Sequence, residues 1–300
     1  MLDFHEPSIN DKKWVDKCLR HANSLNCEYT FGNVYIWADS YSTMIARYKD
    51  FFICRWGKGK NISYSVPLGE GSFTKAVKEI IKDAESLGVK PRIYGLTSSY
   101  LLMLQEAFTG EFTYHYDESF NDYIYSTEKM AELRGKKYHG KRNHISNFKK
   151  NNPDWSFEEI DGDNILECIS LHMKWLEMKQ EDSENEDDFN EEFKAVLKAF
   201  ESYDELGFKG GLIRVNKKVV AFTMGEPQAN GKCFVTHFEK APADMQGAYA
   251  IINQEFTRNC LAEYEFVNRE EDLGIEGLRK AKMSYHPEIL LEKCVAVYND

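Results

Sequence analysis

The chain has 300 residues and a formal net charge of −11; 42% of the residues are hydrophobic and 14% aromatic. That apolar content supplies packed cores and excludes wholesale disorder, while the acidic balance excludes a general coat for nucleic acid, whose phosphates it would repel. Two readings follow from absences: no apolar run approaches the roughly 18 residues that span a bilayer, and residues 1–11 lack the basic and apolar regions of a signal peptide. A cytoplasmic protein without an integral membrane segment is expected, its seven scattered cysteines reduced and without a zinc pattern.

Asn10 and Asp11 can cap a first helix with Trp14, Val15, Cys18 and Leu19 on one face. Three strands follow at 42–48, 51–56 and 62–68. A helix with Phe73, Val77, Ile80, Ile81 and Ala84 on one face comes next, then a strand at 91–96, a helix at 99–108 and a strand at 120–126. Residues 134–150 hold seven Lys or Arg and no acid, a basic island in an acidic protein; Tyr138, His139, Asn143 and Phe148 within it can meet a nucleotide or phosphate.

Beyond the island, 155–160 alternates as a strand. Ile165, Ile169, Met173 and Leu176 share a helical face, as do Phe193, Val196, Leu197 and Phe200. Between these stripes, Glu177 to Glu192 is too acidic to pack and reads as a mobile surface loop. A hairpin then turns at Asn216-Lys217-Lys218, a third strand runs over 232–240, and a helix carries Tyr249, Ile252 and Phe256 inward. Strand 264–268, helix 275–285 and strand 292–298 finish the chain. Each half thus shows β-β-β-α-β-α-β. An internal duplication of elements follows, with units at 1–130 and 154–300 joined by a basic helical linker at 131–153; the alternative is one large sheet. Either way the class is α/β (α+β).

In such sheets ligands gather at strand C-termini and helix N-termini. His237 and Glu239 lie on the strand expected to line a cleft, and Gly247 opens the helix after it. The segment from Asn268 to Gly274 leaves the next strand with five consecutive polar residues, in which Glu270 or Asp272 is a candidate general base. The bland readings are a helix cap for Asp272, an Arg269–glutamate pair, and a satisfied structural histidine. No metal site is expected, because the acidic cluster has no histidine at a suitable spacing.

The linker motif G-K-K-Y-H-G-K-R-N-H-I-S-N-F, the stretch G-A-Y-A-I-I-N-Q-E-F, Y-T-F-G-N-V-Y-I-W at 29–37 and N-R-E-E-D-L-G-I-E-G-L-R-K-A-K-M-S-Y-H-P resemble the phosphatidylglycerol lysyltransferase C-terminal domain family, in its soluble bacterial branch. Gly277, Leu278 and Lys282 are similar to an element of the Fem peptidoglycan aminoacyltransferases, with Ala281 in place of Phe. The resemblance implies two tandem GNAT-like units and transfer of an acyl group, with aminoacyl-tRNA as donor and an amine or hydroxyl on a small molecule or peptide as acceptor. On that reading Lys141 and Arg142 hold donor phosphates, with Asn143 beside them. Asn253 lines the donor pocket, Asn268 and Arg269 orient substrate, Lys282 neutralises anionic charge, and 134–150 meets tRNA. No cofactor is required. The coenzyme A pattern is not met, since Asp244 and Tyr249 stand where its pyrophosphate would be framed. The rivals are an acetyl-CoA-dependent N-acetyltransferase and a non-catalytic binding module.

Overall fold

The computed structural model describes residues 2–180, 186–228 and 230–299. Helix α1 (Lys12–Ala22) starts where expected: Asp11 accepts hydrogen bonds from the Ser8 N–H and hydroxyl and the Trp14 indole, and Val15, Cys18 and Leu19 are buried. Short helices α2 (Phe31–Ile36) and α3 (Ala38–Tyr41) lead into β1 (Met44–Tyr48), β2 (Phe51–Trp56), β3 (Ser63–Ser65) and β4 (Leu68–Gly69). Then come α4 (Phe73–Ser86), β5 (Arg92–Leu96), α5 (Ser98–Ala107), β6 (Phe112–Tyr116), β7 (Asp122–Ser126), α6 (Thr127–Glu132) and α7 (His139–Asn151). The remainder is β8 (Ser156–Glu159), α8 (Ile165–Gln180), α9 (Glu186–Glu201), α10 (Tyr203–Leu206), β9 (Lys209–Val215), β10 (Lys218–Pro227), β11 (Cys233–Lys240), α11 (Ala248–Cys260), β12 (Phe266–Asn268), α12 (Glu276–Met283), β13 (Ile289–Leu291) and β14 (Cys294–Tyr298).

Two sheets result, ordered β1-β2-β3-β5-β14-β6, with β4 on β2, and β13-β7-β12-β11-β10-β9-β8. They repeat one plan. In each, an antiparallel run meets one parallel pair, β3 with β5 or β11 with β12. In each, the strand beyond that pair comes from the other half of the chain: β14 lies antiparallel between β5 and β6, and β7 antiparallel between β12 and β13.

This exchange corrects the sequence reading of the strands at 120–126 and 292–298, each expected in its own half's sheet. The edge strands that stand in those places, β6 and β13, escaped the sequence reading. Only Phe112 of β6 is buried, and β13 has three residues, none fully buried, so neither carries a readable alternation.

The acidic stretch from Glu177 to Glu192 is corrected too. Residues 181–185 lie outside the described set, but α8 runs to Gln180 and α9 starts at Glu186. Ala195, Val196, Ala199 and Phe200 are buried in the core with Cys168 and Leu171 of α8, and this packed stripe carries the helix back into the acidic run. Met173, expected on the inward face of α8, is exposed, whereas Cys168, Leu171, His172 and Leu176 are buried. The second sheet is covered on both faces. Ile213, Phe234 and Val267 pack against α7 and α11 through Phe148, Ile252 and Phe256, and Leu212, Phe222 and Met224 pack toward α8, α9 and the first half.

Candidate active site

Strands β11 and β12 pair in parallel only from Cys233–Phe266 to Val235–Asn268. Beyond that point β11 runs on to Lys240 while the chain after β12 turns away. Asn268 Oδ1 accepts the Glu270 N–H at 2.7 Å and Asp272 Oδ1 the Gly274 N–H at 2.8 Å, side-chain turns that replace the lost ladder. Glu270 takes a left-handed conformation (φ 58°), an uncommon one for a residue with a Cβ. The split opens into a cavity of about 2140 Å³ lined from both sheets: Trp56, Tyr94 and Val297 on one side, His237, Glu239, Arg269, Glu270 and Glu271 on the other.

His237 is clamped between two carboxylates. Its Nδ1 lies 2.8 Å from Glu270 Oε1 and its Nε2 3.0 Å from Glu226 Oε1. Burial alone would depress this imidazole, but the hydrogen bonds and charges of Glu226 and Glu270 outweigh it and raise its pKa to about 9. With both ring nitrogens engaged by carboxylates, the ring holds Glu270 in place. Glu226, in β10, also accepts the N–H groups of Gly32 and Asn33 at 3.2 and 3.1 Å, and Asn33 Nδ2 lies 3.4 Å from Glu270 Oε1. Only glycine fits at 32, since an added Cβ would lie 2.3 Å from Glu226 Oε1. Glu226 and Asn33 escaped the sequence reading of the site, although the motif holding Asn33 stood out as a string.

A second group surrounds Glu239. Arg269 Nη2 donates to Glu239 Oε1 at 2.8 Å and Asn253 Nδ2 to Glu239 Oε2 at 3.0 Å, which leaves Arg269 Nη1 and Asn253 Oδ1 buried without partners among the described residues. Lys141 Nζ sits 3.9 Å from the centre of the Tyr285 ring, with the Arg269 guanidinium 5.0 Å from the same centre. Burial, and then the charge of Arg269, lower the Lys141 pKa to about 8.

Other expected site residues do structural work. Buried Asp272 accepts from Arg279 Nε at 2.7 Å and the Tyr123 hydroxyl at 2.6 Å, and chiefly through Arg279 its pKa falls to about 2, too low for a base near neutrality. Buried Asn268 donates to Leu25 O and Asp122 Oδ2, both at 2.8 Å. Lys282 donates to the carbonyls of Arg269 and Glu271, and burial lowers its pKa to about 8. It faces the cavity but grips the backbone that presents Glu270. Arg142 donates to the carbonyls of Leu133 and Gly135, closing the end of α6 away from the cavity. Asn143, exposed, meets only His139 on its own helix. Gly247 (φ 87°) lines the cavity and lets α11 touch α7, where a Cβ would lie 2.4 Å from His144 O.

The basic island is partly spent. Arg134 pairs with Glu132 and Lys149 with Glu255, Lys141 and Arg142 are engaged as above, and Lys136, Lys137 and Lys150 are exposed. Where the halves meet, the Cys27 thiol and the Asp122 and Glu271 carboxylates converge within 4.8 Å, a donor set a divalent ion could use. Lys293 holds its centre, 2.8 Å from Asp122 Oδ1, bonded to Glu271 and 3.8 Å from Cys27 Sγ.

The model of the family described as phosphatidylglycerol lysyltransferase, C-terminal, matches residues 20–297. The chain belongs to that family. A protein of unknown function from Bacteroides thetaiotaomicron is 35% identical in sequence, with both chains covered in full and a TM-score of 0.94. The C-terminal domain of a putative lysylphosphatidylglycerol synthetase from Agrobacterium fabrum is 17% identical over 97% of this chain and 92% of that one, with a TM-score of 0.72. FemX, at 8% identity over 97% and 96% of the two chains, shares the fold with a TM-score of 0.60. An uncharacterised protein of Mycoplasmoides gallisepticum is 22% identical over 180 residues, 59% of this chain and 56% of that protein, so the match spans little more than half of that relative. The α/β tandem GNAT-like fold, expected from the repeated element order and from the family resemblance, is the fold observed. Among the described residues no helix is long and apolar enough to cross a membrane.

Proposed function

We propose that the protein is an acyltransferase of the aminoacyltransferase type, moving an acyl group from an ester donor such as aminoacyl-tRNA to an amine or hydroxyl acceptor on a small molecule or peptide. The observation that carries this reading is the presentation of Glu270: a carboxylate at the wall of a large cavity, at the split between parallel strands, held 2.8 Å from His237 Nδ1. The acceptor nitrogen or oxygen attacks the ester carbon. A C–N or C–O bond forms, the bond to the donor oxygen breaks, and the proton passes from the nucleophile through Glu270 to that leaving oxygen. His237, Glu226 and Asn33 position the carboxylate. Coenzyme A is the poorer donor on this reading, because Asp244 stands in the loop before α11 and Tyr249 in its first turn. The seven free thiols, six of them buried, suit a reducing cytoplasm.

The test is transfer of label from tRNAs charged with radioactive amino acids to a panel of amines and alcohols. Transfer is expected above spontaneous hydrolysis, reduced about 10²–10⁴-fold by Glu270→Gln with the melting temperature held. Transfer from acetyl-CoA alone, or a rate indifferent to Glu270→Gln, overturns the reading.

A further inference from the structure

Two cations share the Tyr285 ring beside Glu270, and their surroundings are short of negative charge. Glu239 is the carboxylate that serves this corner, and both of its oxygens are taken, one by Arg269 and one by Asn253. Among the described residues no carboxylate pairs with Lys141, and Arg269 keeps Nη1 buried without an acceptor. Lys141, Arg269 and Tyr285 all line the cavity, as does Glu239. A buried guanidinium N–H without an acceptor is costly; Lys141 and Arg269 have Glu239 as their near anion, and the Glu270 carboxylate in the same cavity is already held by His237.

We propose that Lys141 and Arg269 form an oxyanion subsite on the face of Tyr285, which takes a phosphate or carboxylate group of a substrate and holds it next to Glu270. Arg269 Nη1 supplies a directed donor, and Lys141 the compensating charge from the neighbouring helix α7. Asn253 has a supporting part: by holding Glu239 Oε2 it stops that carboxylate from turning to Lys141 and closing the subsite. Burial and the charge of Arg269 depress the pKa of Lys141, and the charge of Glu239 offsets only part of that. The inference rests on the transferase reading only in calling the bound group part of a substrate; the binding is measured without any transfer.

The full chain is reductively ¹³C-methylated, and the Lys141 signal is identified by its loss in Lys141→Gln, or in Lys141→Arg should the first fail to fold. Its titration midpoint is followed in chloride, inorganic phosphate and acetate at equal ionic strength. The midpoint is expected near 8 in chloride and about one unit or more higher when an oxyanion binds. Arg269→Lys, which keeps the charge and loses the spare N–H, is expected to weaken that binding about tenfold. A rise in phosphate alone assigns a phosphate group, and a rise in acetate alone a carboxylate. A midpoint unmoved by both overturns the subsite, whatever the transfer assay returns.

Discussion

On the first sheet, the strands that border the cavity present Trp56, Ser65, Tyr94 and Val297; on the second, β11 and the loop after β12 present His237, Glu239, Arg269 and Glu270. The two walls come from matching places in one repeated plan. The parallel pair β3–β5 is as short as β11–β12, with two paired positions against three. A short parallel pair is therefore supplied twice by the fold; the first sheet adds Arg92 and His115 to the cavity wall, and the second adds the His237 clamp on Glu270 and Glu226. The fold supplies the opening, and the side chains decide whether chemistry is done there.

The strand exchange makes the two sheets one unit, and the sharpest way to break that view is Lys293→Met. Lys293 precedes β14 of the first sheet and bonds Asp122 at the head of β7 in the second. Its loss leaves Asp122 and Glu271 facing each other without a cation, at an expected cost of about 3–5 kcal/mol. Urea denaturation followed by tryptophan fluorescence and circular dichroism should show one transition, moved to lower urea; two separate transitions would mean that the sheets unfold independently.

The His237 clamp has a pH signature. The folded pKa of His237, about 9, lies above its reference value of 6.5. Its contribution is therefore full below about pH 6.5 and is lost as pH rises through about 9. Wild type and His237→Gln should differ by on the order of 3 kcal/mol at pH 6, converging above pH 9. A gap that stays constant with pH would mean that the imidazole is neutral and the clamp is a packing feature.

The smallest expected effect concerns the edge of the wall on the second sheet. Gly247→Ala places a Cβ against His144 O at a left-handed position, with an expected loss of about 1–3 kcal/mol in thermal or urea unfolding. An unchanged stability would show that α7 and α11 can part, and that the Lys141 corner between them is looser than drawn.

The sequence by itself determined the class, the repeated order of elements and the segment that carries Glu270. Apolar periodicity and side-chain turns are local, and Asn268 and Asp272 shape the loop after β12 through neighbours two residues away. Glu270 was readable as a candidate base, but so was Asp272. Only the folded chain separates them, because Arg279 and Tyr123 hold one carboxylate shut while His237 holds the other open to the cavity. The strand exchange was also beyond the sequence: β7 and β14 read like any strand, and nothing local states which sheet receives them. The clamp shows the same limit at longer range. Glu226 meets Gly32 and Asn33 across 194 and 193 residues of chain, and such a contact is decided by the packing of one half on the other, which no local pattern records.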